Sequence, residues 1–455
     1  MKNLCFLFFT FFSIVVCAQQ PWYKSSPSDH TWMNVGNAGF STWYSPYLDL
    51  ALNSSGQLYV AFSDYTYSHK TTVMKFDGNN WVYVGNPGFS QGNASWTTFA
   101  ISPAGEPYVA YMDNNQATVV MKFDGNDWVS VGNQGFTPSG ISYICFAISP
   151  AGEPHMSFVN NHIGSVMKYN GTDWVYVGIP DFSTQLSGGM SLAFSPSDSL
   201  PYVAHSNADN GRKAIVMKFN GIEWVCISSI GFSSGEVDGI NLALSPAGQP
   251  FVAFEDVEND NKCTVMKYDG TNWVNVGNAG FSMATVVTPD IALSLSGEPY
   301  VTFSDYVCAG KATVMKYNGM NWVNVGNPGF SAGEATGIKI ALSNSGKPYV
   351  SFQDAAHDGK ATVMKYDSVS LGISELQHSQ ISIYPNPATD KITIETSATA
   401  IQFQLSIFNT SGLQLITHQI TEPKTQLDIS SLPVGIYFVR LTGEKTVQMK
   451  KIVKK

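Results

Sequence analysis

Val314-Met315-Lys316-Tyr317-Asn318-Gly319-Met320-Asn321-Trp322-Val323-Asn324-Val325-Gly326 is the stretch whose reading decides the fold. It consists of two short β-strands joined by a Gly-containing turn. The same pattern leads to Trp81, Trp128, Trp174, Trp224 and Trp273. Between these hairpins a second unit repeats, as in Leu242-Ala243-Leu244-Ser245-Pro246-Ala247-Gly248-Gln249-Pro250-Phe251-Val252-Ala253-Phe254. It reads as strand, tight turn, strand, with Pro and Gly supplying the turn. Each period therefore holds four strands, a to d.

The Met of strand c recurs at 74, 121, 167, 217, 266, 315 and 364, at intervals of 46 to 50 residues. Propeller blades run to about 40–50 residues. Seven such periods predict an all-β, seven-bladed β-propeller. The ends are incomplete in complementary ways. Thr31 to Gly36 matches the second half of the hairpin alone, and Val363 to Asp367 the first half alone. The N-terminal strand is expected to complete the last blade and close the ring. Strands a and b are almost wholly apolar, as sheets buried on both faces require. Neither Gly-His with Trp-Asp pairs (WD repeats) nor Gly-Gly doublets (kelch) recur with the repeat. The hairpin differs from a sialidase Asp-box in having Asp and Gly adjacent. The a–b unit resembles that of TolB-type propellers only loosely, so no propeller family lends a function.

Composition narrows the classes. Of 455 residues, 13% are charged, 13% aromatic and 40 are Gly, a turn-rich β profile. The net charge of −9, with Arg212 and Arg440 the two arginines, speaks against nucleic acid as a partner. Lys2 followed by an apolar run from Leu4 to Val16 reads as a secretory signal peptide over 1–18, cut between Ala18 and Gln19. Cys17 raises a lipoprotein alternative, although Val16 is larger than a lipobox wants. No later stretch is apolar enough for a transmembrane segment. Cys145, Cys226, Cys263 and Cys308 show no Cys-x-x-Cys spacing. They read as free thiols, with a Cys263–Cys308 disulfide as the alternative.

The expected order is a loose segment at 19–30, the propeller at 31–367, a linker at 368–380 and a small Ig-like β-sandwich at 381–455. The last part contains Tyr384-Pro385-Asn386-Pro387-Ala388, then Leu432-Pro433-Val434-Gly435-Ile436-Tyr437-Phe438-Val439-Arg440-Leu441, and ends on Lys450-Lys451-Ile452-Val453-Lys454-Lys455. These motifs resemble the type A C-terminal sorting domain of the type IX (Por) secretion system of Bacteroidetes. The resemblance implies export, the secretion machinery as a partner, and an extracellular or cell-surface location. It implies nothing about the chemistry of the cargo.

Function is expected on the face formed by the d–a and b–c loops, where the blades differ. The repeated Trp and Met read as core. The Val-Gly-Asn-x-Gly-Phe-Ser stretches are either fixed turns or repeated sugar pockets. Strand b ends at Asp64, Asp113, Asn160, Asn207, Asp256, Asp305 and Asp354, and a Lys often follows six residues later. Cross-strand ion pairs are one expectation. Ca²⁺ on Asp64, Asp113, Asp256, Asp305 or Asp354 is another, since it wants six to eight oxygens. On strand a, the symmetry breaks at Asp49, Thr98, Cys145, Ser191, Asn241, Asp290 and Lys339. Blades 5, 6, 7 and 1 would bring Asn241, Asp290, Lys339 and Asp49 to one channel mouth. Asp49, Asp290 and Lys339 are the candidate catalytic groups, and all four are candidate ligand contacts. His155 and His205 replace core aromatics. Three functions remain: glycan or protein binding without catalysis, an extracellular polysaccharide hydrolase or lyase, or a structural, adhesive surface protein.

Overall fold

A computed structural model describes residues 30–183, 185–228, 230–368, 381–396, 403–410, 413–442 and 447–455. The signal segment, its Ala18–Gln19 cut and all of the expected 368–380 linker but Ser368, which ends the strand Lys360–Ser368, lie outside them. The chain forms two compact units, Met1–Ser368 and Val369–Lys455. No helix among the described residues is long and apolar enough to cross a membrane.

The first unit is seven four-stranded antiparallel sheets in series. Blade 1 runs Asp49–Leu52, Leu58–Asp64, Lys70–Phe76 and Trp81–Tyr83 as strands a to d. Blade 6 runs Val286–Leu293, Pro299–Asp305, Lys311–Tyr317 and Trp322–Asn324. Strands b such as Leu58–Asp64 and Pro299–Asp305 are buried at every residue, because neighbouring blades cover both faces. Blade 7 takes its fourth strand, His30–Asn34, from the N-terminus, with Trp32 opposite Tyr366 in the register. The closure expected from the two half-hairpins is present.

The repeated Trp joins each blade to the one before it. Its indole N–H donates to a Val carbonyl of the preceding strand d: Trp81 to Val35, Trp128 to Val84, Trp174 to Val131, Trp224 to Val177, Trp322 to Val276 and Trp32 to Val325, at 2.6–2.8 Å. Trp273 lies in the same place without a partner for its N–H. Each ring also stacks on the Phe of the preceding blade's Gly-Phe-Ser loop, as Trp32 does on Phe330 at 3.9 Å and 7°. Gly326 is left-handed at φ +72, and a Cβ there would stand 3.0 Å from the Trp32 ring. The Val-Gly-Asn-x-Gly-Phe-Ser stretches are thus interblade packing.

The second unit is a β-sandwich. One sheet pairs Ile381–Tyr384, Lys391–Thr396 and Lys424–Asp428; the other pairs Gln414–Ile420, Phe403–Phe408, Gly435–Thr442 and Val447–Lys454. Ile392, Ile394, Leu405, Ile407, Val439 and Ile452 fill its core. Asn386 clasps the last strand, donating to the Lys451 carbonyl and accepting from the Val453 amide, both at 2.9 Å.

Candidate functional site

On the a–b turn side, Leu52, Ile101, Ile148 and Phe194 border a depression together with Asn53, Ser54, Ser102 and Ser149. On the loop side a cavity of about 650 Å³ opens. Six of the seven symmetry-breaking residues of strand a line it: Asp49, Thr98, Cys145, Ser191, Asn241 and Lys339. Asp290 is not part of the lining. It acts on the site through charge, as the main cause of the raised pKa of Lys339, with Asp49 adding to it against burial. Burial in turn raises the Asp290 carboxyl, opposed by Lys339 and the Ile340 amide.

These polar side chains also tie the blades together. Asp49 Oδ2 accepts from the Phe99 amide at 2.8 Å and the Thr98 hydroxyl at 3.1 Å. Asp290 Oδ2 accepts from the Ile340 amide at 2.9 Å, and Ser191 Oγ from the Leu242 amide at 3.1 Å. In each case the donor is strand a of the next blade. A propeller leaves the inner edge of strand a unpaired, and these acceptors satisfy one amide of that edge. Asn241 Nδ2 donates to the Pro289 carbonyl at 2.8 Å. The Cys145 thiol is raised by burial and is a poor nucleophile there.

Sequence reading missed what stands two residues upstream. In blades 2, 3, 5, 6 and 7 the a–b register shifts there, marking a β-bulge. The bulge holds one residue left-handed: Gly239 at φ 55, Thr288 at 47 and Gly337 at 57 in blades 5 to 7. Blades 1 to 3 put Tyr47 at φ 55, Trp96 at 53 and Tyr143 at 52 in the same position. The left-handed region costs an L-residue roughly 1–2 kcal/mol, and bulky residues there are outliers. The three rings form a continuous ledge, 36–40% exposed, with neighbouring centroids 5.9 and 5.0 Å apart. All three line the cavity together with the polar residues of strand a. Aligning the repeats on Asp49, Thr98 and Cys145 and looking two residues back would have exposed the pattern.

Loop residues complete the rim. Arg212 donates from its two terminal nitrogens to Glu236 and Asp238, and from Nε to Ser187 at 2.8 Å. Glu255 accepts from the Thr288 amide at 2.8 Å, and its carboxyl is raised by burial first and by Asp238. Asp238 and Gln353 belong to the lining.

The acidic ring at the ends of strand b is placed differently from the ion-pair expectation. Asp64, Asp256, Asp305 and Asp354 do lie opposite Lys70, Lys262, Lys311 and Lys360 in the register. Their carboxylates nonetheless turn inward. Asp64, Asp305 and Asp354 cap the short 3₁₀ turns that follow them. Asp256 accepts instead from Asn259 at 2.9 Å and Thr264 at 2.7 Å. Asp113 accepts from the Asn115 and Ala117 amides in its own turn. Backbone donors inside a buried hairpin outcompete an exposed ammonium, whose pairing is worth little. Each carboxylate serves its own blade, and no group of three or more metal-ligating side chains is found among the described residues. Cys145, Cys226, Cys263 and Cys308 are free thiols. His155 and His205 are buried in strands b, each pushed down to about 4 by burial.

Comparison with known proteins bears on the second unit. Residues 382–455 match the family model described as secretion system C-terminal sorting domain. That domain directs the chain through the type IX secretion machinery to the cell surface or the extracellular space. An 88-residue stretch is 30% identical to karilysin of Tannerella forsythia, covering 17% of this chain and 19% of karilysin. Among solved structures, PorZ, a surface component of the type-IX secretion system of Porphyromonas gingivalis, aligns at 14% identity and a TM-score of 0.44. That alignment covers 90% of this chain and 59% of PorZ. A PL25 ulvan lyase aligns at 12% identity and a TM-score of 0.46, over 73% of this chain and 95% of that one. The chain therefore spans about a fifth of the karilysin length and under two thirds of PorZ.

Proposed function

We propose that this chain, carried out of the cell by its C-terminal sorting domain, binds a glycan at the loop-side mouth of its propeller without transforming it. The observation that carries the reading is the ledge of Tyr47, Trp96 and Tyr143. Blades 5 and 7 fill the same left-handed position with Gly239 and Gly337, so the aromatic rings are kept against a backbone cost. Residual strain of this kind concentrates at ligand sites. Partly exposed aromatic faces over a cavity of about 650 Å³, with hydrogen-bonding groups opposite, match the apolar faces and hydroxyl rims of pyranose rings.

The test is a glycan-array screen of the full chain, followed by calorimetry on the best ligand. Trp96→Ala and Tyr143→Ala should each weaken binding by about tenfold or more, since stacking on one ring contributes roughly 1–3 kcal/mol. Unchanged affinity in both variants would remove the ledge from the site.

A hydrolase or lyase at the same mouth is the second reading. In its favour, Asp290 is raised by burial beside Lys339, as an acid–base group would be. Against it, Asp49 and Asp290 already accept backbone amides of the neighbouring blades. Turnover by the wild type that disappears in Asp290→Asn and Asp49→Asn would establish it.

A further inference from the structure

The charge pattern of the rim narrows the ligand class, on the premise that the mouth takes a glycan. Carboxylates outnumber cations among the residues of this region. Lys339 lies in the field of Asp290 and Asp49. Arg212 pairs with both Glu236 and Asp238. Glu255 adds a further carboxylate beside Gly239, where a Cβ would lie 2.7 Å from its Oε1. Burial first, and Asp238 after it, disfavour the ionised form of Glu255.

The aromatic side of the cavity has the same preference. Ring faces carry negative quadrupolar charge and attract cations, most strongly at Trp.

From this combination we infer that the mouth selects a glycan bearing free, positively charged amino groups, an amino-sugar chain, and rejects uronate or sulfated chains. The sugar faces lie on Tyr47, Trp96 and Tyr143. The ammonium is held by Asp238 and Asp49, the two carboxylates that line the cavity. A carboxylate or sulfate in the same place would meet that excess of carboxylates, with Arg212 already held by Glu236 and Asp238.

Calorimetry on the full chain at mildly acid pH separates the possibilities, using four probes: hexamers of glucosamine, of N-acetylglucosamine and of galacturonic acid, and hexalysine. The glucosamine hexamer should bind about tenfold tighter than its N-acetylated form, and the uronate not measurably. The advantage should shrink with added salt and in Asp238→Asn, while Trp96→Ala weakens both neutral and charged sugars. Should Asp238→Asn misfold, the salt dependence of the wild type carries the same information. Equal affinity for the amine and its N-acetyl form overturns the charge inference and leaves the glycan reading intact, and so does tighter binding of the uronate. Hexalysine binding as tightly as the glucosamine hexamer makes the site one for cationic peptide and removes the glycan reading too. Binding of none of the four overturns both.

Discussion

His205 occupies a position that the other blades give to Phe62, Tyr111, Phe158, Phe254, Phe303 and Phe352, all among the most deeply buried side chains. Its Nε2 has no partner, and burial holds its pKa near 4. His155, in the place of a strand-b Tyr, is also near 4. Both values lie below the ordinary 6.5, so the unfolded chain binds the proton more readily. Stability is complete above about pH 6.5 and falls as the pH drops towards 4, by up to about 3 kcal/mol per histidine. Urea midpoints measured across this range should show that slope, and His205→Phe should both raise stability and flatten it. An unchanged slope in the variant would place the acid sensitivity elsewhere. That these histidines belong to the core was legible from the repeat alone, because five or more homologous positions are aromatic. The aromatic ledge was not, since Tyr47, Trp96 and Tyr143 look like ordinary strand residues until the backbone at each turns left-handed.

The b–c hairpin is the element on which register and chemistry part company. Spacing placed Asp354 opposite Lys360, and the register agrees. What spacing could not supply was the 3₁₀ turn Ala355–His357 between them. Asp354 caps it through the Ala356 amide at 3.0 Å and also receives the Thr362 hydroxyl at 3.2 Å and His357 Nδ1 at 2.8 Å. Asp354→Ala should therefore cost about 2 kcal/mol, the loss of a cap together with unpaired buried donors. Lys360→Ala should stay within about 0.5 kcal/mol, as exposed substitutions do. Equal effects in denaturant melts would restore the ion pair. Strand a divides in the same manner. Its polar positions at Asp49, Asn241 and Asp290 were evident as breaks in the repeat. Their bonds to the next blade depend on an unpaired strand edge that exists only after the ring closes.

For the molecule as a whole, closure rests on one short strand. His30–Asn34 supplies the outer edge of blade 7, and Trp32 reaches blade 6 through the Val325 carbonyl at 2.7 Å and the Phe330 ring. Trp32→Ala removes a buried indole and its bond together, at an expected cost of about 3–5 kcal/mol. It should also loosen the strand and expose the edge of Lys360–Ser368, promoting association. A lowered melting temperature with a concentration-dependent rise in light scattering would show this. A monomer of wild-type stability would mean that closure does not depend on the clasp.

The sequence by itself determined the number of blades, the strands of each, the shared blade that closes the ring and the sorting domain at 382–455. It could do so because these are local patterns repeated many times, and repetition separates signal from accident. The tertiary structure decided which of the irregular residues form a site. Tyr47, Trp96 and Tyr143 share one cavity with Asn241 and Lys339 only because the closed ring sets blades 1 to 3 and blades 5 to 7 around it. Distances across a closed ring depend on every blade between, and no spacing along the chain encodes them.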